Sequence, residues 1–337
     1  MSTKADQCNG VDLGLNDDPR VFMQFGSIIH IEIVFIQMIA LTLIKMSLIV
    51  RPIEQDDAEV CGKIGYEAHK AISSSHGYPC EQPSEEFGIG LIKMLLGNQN
   101  SWGVLAERQG GILGSIFLHR FPPSPVAVIG PLTVHPSAEG GVGRKLMDAA
   151  LTQAHKQNHD QIRLVQSPSH IRSFVLYTKC GFVLREPLFL MQGQPLKHRN
   201  INIDTRDADV RLVRDDNDIS MCTRLCKSSY GFSREMELRQ AKDQGVATMV
   251  ERDGVITGYA AGIGILCYAV AKSNEDLKML IANACAILGS GFFVPARNHE
   301  IIKWLLESGF HIGWPANLMT NGPYQEPLTS FLPSLAY

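Results

Sequence analysis

The sequence predicts an α/β (α+β) fold in two tandem domains, each a mixed sheet flanked by helices. Three observations carry that expectation. A strand, a glycine-rich turn and a helix follow one another from Val126 to Ala150, VAVIGPLTVHPSAEGGVGRKLMDAA. A hairpin signal precedes them, Trp102 to Glu107 and Ile112 to His119 around Gln109-Gly110-Gly111. From residue 205 onward the outline of the first half recurs, and 337 residues suit two domains of ordinary size.

Composition narrows the function classes. Hydrophobic residues make up 45% and charged residues 19%, as in globular domains with substantial cores. A formal charge of −3 offers no basic surface to nucleic acid or to an acidic membrane. The eight cysteines form no C-x-x-C pair and no Cys/His ligand spacing. No metal is expected, and the chain reads as a reduced cytoplasmic protein.

Residues 1–45 stand apart. The first twenty are polar and read as disordered; QFGSIIHIEIVFIQMIALTLIK follows. The uncharged run from Ile33 to Ile44 is too short for a bilayer, and widening it admits His30 and Glu32. No compact basic region or small-residue cleavage site marks a signal peptide. A membrane anchor stays open. The plainer reading is that folding starts at Met46 and that the upstream part is an extended reading frame.

Leu48 to Ile53 is apolar enough for a first strand. Asp56, Asp57 and Glu59 place acids in the first turn of a helix through Ile64 and Ala71. Ser73 to Pro83 is a loop, and Ser84-Glu85-Glu86 starts a helix reaching Leu96. The hairpin comes next, and Pro122 to Pro125 separates it from Val126 to Val134, a β-branched run stopped by Pro136. Ile162 to Gln166 is a strand, Ile171 to Lys179 a short helix ended by Cys180-Gly181-Phe182, and Val183 to Met191 a strand that completes the sheet.

The turn after Val134 carries the chemistry. Glu139, Gly140, Gly141, Val142 and Gly143 let backbone approach a ligand, since glycine has no Cβ. Arg144 and Lys145 then oppose the dipole of the helix they begin unless an anion is present. Free N–H groups, a positive helix end and two cations make a phosphate site. A dinucleotide fingerprint would need glycine where Leu146 stands, and a P-loop would need Ser or Thr after the lysine.

The stretch resembles motif A of the GNAT superfamily of acyl-CoA N-acyltransferases, a strand ending V-x-P, then Q/R-x-x-G-x-G/A, then a helix. Val134, Pro136, Gly141, Val142, Gly143 and Arg144 match, and the Gln/Arg position falls on Ala138. HIRSFVLYTKCGF resembles the family's N-x-x-[A/S]-x-x-L-Y-x-x-x-G-F segment through Ser173, Leu176, Tyr177, Gly181 and Phe182, with His170 in place of Asn. The order of elements over residues 46–192 resembles the whole GNAT fold, a mixed, mostly antiparallel sheet flanked by helices.

The resemblance implies acetyl-CoA as co-substrate. Its pantetheine arm would pair with Leu132, Thr133 and Val134 as an added strand, and its pyrophosphate would sit on Glu139 to Arg144, with His170 nearby. Tyr177 would give a proton to the departing thiolate; by spacing alone a helical tyrosine is more often core. His119, at the end of the preceding strand, is the candidate base and Glu107 the next, with a water chain as the alternative.

In the second half, Val210 to Val213 and the cap Asp215 to Asp218 repeat Leu48 onward. Ala247 to Arg252 and Val255 to Gly262 form a hairpin across Asp253-Gly254; Asn274 to Leu288 is a helix and Gly291 to Val294 a strand. Asn298 to Phe310 aligns with His170 to Phe182, with Leu305 in the place of Tyr177. Ser273, Glu275 and Asp276 satisfy the helix start where the first half has glycines, so a pyrophosphate would be repelled. The division is therefore 1–45 extension, 46–192 working GNAT domain, 193–204 linker and 205–337 degenerate GNAT-like domain.

The reading is an N-acetyltransferase acting by direct attack of a primary amine of a small molecule or peptide, without nucleic-acid or membrane partner and with homodimerisation open. The rival is a catalytically inactive acyl-CoA-binding regulatory protein. A membrane-anchored enzyme is a third reading that depends on residues 21–45.

Overall fold

The computed structural model describes residues 47–138, 140–196 and 208–335. Residues 48–337 form one compact unit. The extension and Glu139 lie outside the described residues, as do 197–207, which hold most of the linker.

The first half runs β1 (Ile49–Pro52), α1 (Ala58–His76), α2 (Glu85–Gly97), β2 (Ser101–Arg108), β3 (Gly111–Arg120), β4 (Val126–Val134), α3 (Val142–Lys156), β5 (Gln161–Gln166), α4 (Ile171–Lys179) and β6 (Val183–Gln192). The second runs β7 (Ala208–Leu212), α5 (Asp216–Tyr230), α6 (Glu235–Asp243), β8 (Ala247–Arg252), β9 (Val255–Ala261), β10 (Ala269–Ala271), α7 (Asn274–Asn283), β11 (Phe292–Pro295), α8 (His299–Glu307), β12 (His311–Asn321) and β13 (Ser330–Leu332). Caps match the sequence: Ser84, Asp215, Ser273 and Asn298 each accept a first-turn backbone N–H. Among the described residues no helix is long and apolar enough to cross a membrane.

One eight-stranded sheet has the order β1-β2-β3-β4-β5-β12-β6-β11, and a five-stranded sheet the order β13-β10-β9-β8-β7. Among the described strands only β4 and β5 pair parallel; their other neighbours are antiparallel. The larger sheet crosses the halves. β12 lies between β5 and β6, and β6 in turn lies between β12 and β11. Each half thus lends one strand to the other.

β4 explains why the core has two sides. Val126, Ala127, Val128 and Ile129 are all buried. Val126 and Val128 face second-half residues including Tyr259 and Phe331, while Ala127 and Ile129 pack toward Leu146 and Met147 of α3. Arg163 on β5 is fully buried with its guanidinium over Phe232 at 4.9 Å and over Tyr324 at 5.1 Å, both second-half rings.

The halves repeat down to side-chain networks. Arg51 reaches Asp57 at 2.7 Å and Glu107 at 3.0 Å; Arg211 reaches Asp218 at 2.6 Å and Glu251 at 3.2 Å. Both hairpins slip register at the same place, before Glu107 and before Glu251. Two tandem halves of the same outline are the architecture, as the sequence predicts.

Several boundaries differ. α1 runs on to His76 and ends at Gly77, whose φ of 70° makes a left-handed cap. The helix expected to reach Leu288 stops at Asn283, because Leu288 is drawn into backbone hydrogen bonds with Ile263 and Ile265. Val183 to Met191 does not complete the sheet. Its ladders lead to β12 and β11, strands of the second half, and β12 has no counterpart in the sequence expectation. α6, β10 and β13 were also unforeseen; β10 and β13 have three residues each.

The exchange makes a prediction. Residues 48–196 expressed alone should show no cooperative melt, because the gap between β5 and β6 leaves two unpaired edges and an open core. Mixing with 208–337 should restore one. A lone first half that melts cooperatively at the temperature of the whole chain would contradict this.

Candidate active site

β4 and β5 begin as parallel neighbours and then part. Their register covers Val126–Val128 against Gln161–Arg163 and goes no further. Leu132, Thr133 and Val134 remain paired to β3 on one side, opposite Ile116, Ser115 and Gly114. No described strand takes their other side. Between the two stretches β4 bulges: Leu118 faces Ile129 and Ile116 faces Leu132, so Gly130 and Pro131 stand opposite Phe117 alone. Gly130 has φ +150°, a conformation open to glycine.

His119 braces that bulge. Its Nε2 bonds the Gly130 carbonyl, which can only accept, so Nε2 carries the hydrogen. Nδ1 then accepts from the Ser101 hydroxyl at 2.8 Å. Burial holds its pKa below the ordinary histidine value, so the ring stays neutral. Both nitrogens are committed inside the strand ladder. Glu107, the next candidate, is engaged with Arg51 at 3.0 Å on the β1–β2 side.

β4 leads into α3 through the glycine turn. Gly141 sits before the helix with φ 98°, and Val142 buries its side chain as the helix begins. Gly143 lies on the first turn, where an added Cβ would meet Leu176 Cδ2 of α4 at 3.1 Å. Gly140 is exposed. Arg144 donates to Asp148 at 2.8 Å and to the Lys179 carbonyl at 3.3 Å; Lys145 turns to the Leu48 carbonyl at 3.0 Å. Among the described α-helices only α3 and α4 have no acid in the first turn. Their positive ends, beside the parting of β4 from β5, are left for an anion.

α4 carries His170 at its start and Tyr177 on its buried face. Tyr177 is 9% exposed and packs at 6.1 Å from the Phe182 ring. Burial, with Cys180 beside it, lifts its pKa well above that of a free phenol. The hydroxyl is therefore protonated at neutral pH, and no described residue hydrogen-bonds it. His170 has its pKa lowered, first by burial and then by His69, Arg172 and His76.

Sequence reasoning missed the groups around this end of β4. His135, the middle residue of V-x-P, meets Glu67 of α1 at 3.1 Å and the Ser137 hydroxyl at 2.7 Å. His69 meets Glu81 at 3.6 Å. The available signal was the Glu67-Ala68-His69 spacing, which puts a carboxylate and an imidazole on the first helix. No described cluster has the makings of a metal site.

Residues 67–182 match the family model described as Acetyltransferase (GNAT) family. They form a GNAT domain. Solved structures extend the likeness of fold to both halves. A Pyrococcus horikoshii protein assigned as an acetyltransferase superposes with TM-score 0.62 at 17% identity, over 86% of this chain and 95% of its own. A GCN5-related N-acetyltransferase from Sphaerobacter thermophilus gives 0.55 at 14% identity, over 84% and 98%. No curated protein matches.

The second GNAT-type half treats the equivalent edge differently. Gly258 pairs with Ala271 as Gly114 pairs with Val134, each two residues beyond the slipped Ile256 or Ile112. Ala269, Val270 and Ala271 therefore correspond to Leu132, Thr133 and Val134. β13 occupies their outer side, Ser330 to Leu332 running antiparallel along them. At the helix start, Ser273 accepts from Asp276 N at 3.1 Å, and Asp276 pairs with Arg252 at 2.7 Å.

Coenzyme A binding should accordingly fail with Gly143→Asp and persist with Ser273→Asp. A carboxylate near the phosphate position costs about 1–4 kcal/mol between surface and bulk screening, so titration should show about tenfold weakening or more. Aspartate at position 273 is itself a good cap. Equal weakening by both changes would contradict a single site in the first half.

Proposed function

We propose that the protein is an N-acetyltransferase that moves the acetyl group of acetyl-CoA to a primary amine of a small molecule or peptide. The observation that carries the reading is the open outer edge of Leu132–Val134 beside the uncapped start of α3. An extended amide chain can add to that edge as a strand does, while the diphosphate meets the backbone from Gly140 to Gly143. Match of residues 67–182 to the GNAT family supports acetyl transfer in general.

The chemistry is a direct displacement. The neutral amine attacks the thioester carbonyl, its C–N bond forms, the C–S bond breaks, and the amine loses a proton. Tyr177 donates to the departing thiolate and recovers the proton that the nitrogen loses. An alkyl ammonium has pKa near 10.4, so a base must first remove its proton. We assign that proton to water leading to the Glu67 carboxylate, because His119 has both nitrogens committed. The working domain is 46–192; residues 205–337 carry a second copy whose equivalent edge is filled by β13. The proposed setting is cytoplasmic, where cysteines stay reduced.

A thiol-release screen with acetyl-CoA and a panel of amines tests this. The expected result is amine-dependent release by the wild type. Tyr177→Phe should lower kcat by roughly 10²-fold with little change in the KM for acetyl-CoA. Binding of coenzyme A without release for any amine would instead support the regulatory reading.

A further inference from the structure

We infer that β12, a strand of the second half, holds the Tyr177 helix at both ends, making Asn317 and Asn321 positioning residues for the first-half site. The inference rests on the role proposed for Tyr177.

α4 is short, and its N-cap residue, His170, makes no side-chain cap. A side chain of β5 instead ties together the oxygen acceptors around its first turn. Gln166, 3% exposed, donates through Nε2 to the Ser167 carbonyl, to the His170 carbonyl at 3.1 Å and to the Ser173 hydroxyl at 3.1 Å. Ser173 in turn donates to the His170 carbonyl at 2.8 Å. An amide that spends its nitrogen this way must keep its oxygen on the opposite side. Asn317 fixes that orientation by donating to Gln166 Oε1 at 3.0 Å, directly across the β5–β12 ladder. Ser173 stands one helical turn before Tyr177 on the same buried face.

The other end is held by the same strand. Asn321 donates to the Cys180 carbonyl at 2.9 Å, just past the last helical residue. Gly181 leaves the room: its φ is +87°, and an added Cβ would stand 3.0 Å from Asn321 Nδ2. Between the two asparagines, Met319 joins the cluster that contains Tyr177 and Phe182. With a period of two, Asn317, Met319 and Asn321 share one face of β12, while Ala316 and Leu318 enter a different cluster. The borrowed strand thus presents a polar–apolar–polar row to one helix, and that helix carries the proton donor. A tyrosine hydroxyl displaced by about 1 Å loses most of its use in a transition state.

The test is a cycle on the full chain. Asn317→Ala/Asn321→Ala should lower kcat for acetyl-CoA thiol release about tenfold or more, using the most reactive amine of the panel, with the KM for acetyl-CoA within about twofold. In a Tyr177→Phe background the same pair should cause no further loss, since the asparagines act through the hydroxyl. Amide exchange in residues 172–179 should rise while the β2–β3 hairpin stays protected. If the alanine pair does not fold, Asn317→Asp, which replaces the donating amide by a carboxylate facing Gln166 Oε1, takes its place with the same expectations. Full kcat in the asparagine variants beside a slow Tyr177→Phe overturns the clamp alone. An equal further loss in the Tyr177→Phe background also overturns it. Full kcat in Tyr177→Phe overturns the reading beneath it.

Discussion

The exchange of β6 and β12 is the constraint on which the rest of the molecule depends. The larger sheet opens where β4 and β5 part, and the strands beyond the parting need other neighbours to hold them. Here β5 is held by β12 and β6 by both β12 and β11. The exchange buries polar groups that only the other half can satisfy or cover. Arg163 lies between Phe232 and Tyr324, and Glu186 of β6 pairs with Arg297 at 2.8 Å while burial pushes its pKa up. Removing one partner of such a pair leaves a charge stranded in the core, which is why these contacts tie the halves together rather than merely decorate the seam.

The same architecture has opposite outcomes in the two copies. In the first, the bulge at Gly130-Pro131 and the departure of β5 expose one side of Leu132–Val134, next to a helix start with no acid. In the second, Ala269–Ala271 meet Ser330–Leu332, and the helix start is filled by Ser273, Glu275 and Asp276. An unpaired strand edge is costly to leave bare. The second copy covers it with β13, whereas no described strand covers it in the first.

Much of this was legible in the residues. The strand–turn–helix from Val126 was readable because β-branched residues, three glycines and a helical period follow in order. The Arg211–Asp218 network was foreshadowed by the acids of the repeated cap. What could not be read was pairing across the halves. β12 contains Gly313 and Pro315 among its residues and reads poorly as a strand by composition; two neighbours, not propensity, make it one. β10 and β13, of three residues each, are below the length at which alternation is visible. The site was half legible for a related reason. Glycines and Tyr177 have local signatures, but Glu67 meets His135 across 68 residues of chain, and Asn317 meets Gln166 across 151.

The central claim is that one edge is open and its counterpart is sealed. A crystal structure of the full chain grown with coenzyme A tests it most directly. The account predicts one coenzyme per chain, its pantetheine arm hydrogen-bonded along Leu132–Val134 and its diphosphate at Gly140–Gly143, with Ser330–Leu332 still paired to Ala269–Ala271. A coenzyme lying along Ala269–Ala271, or one bound away from the β4–β5 parting, would contradict it.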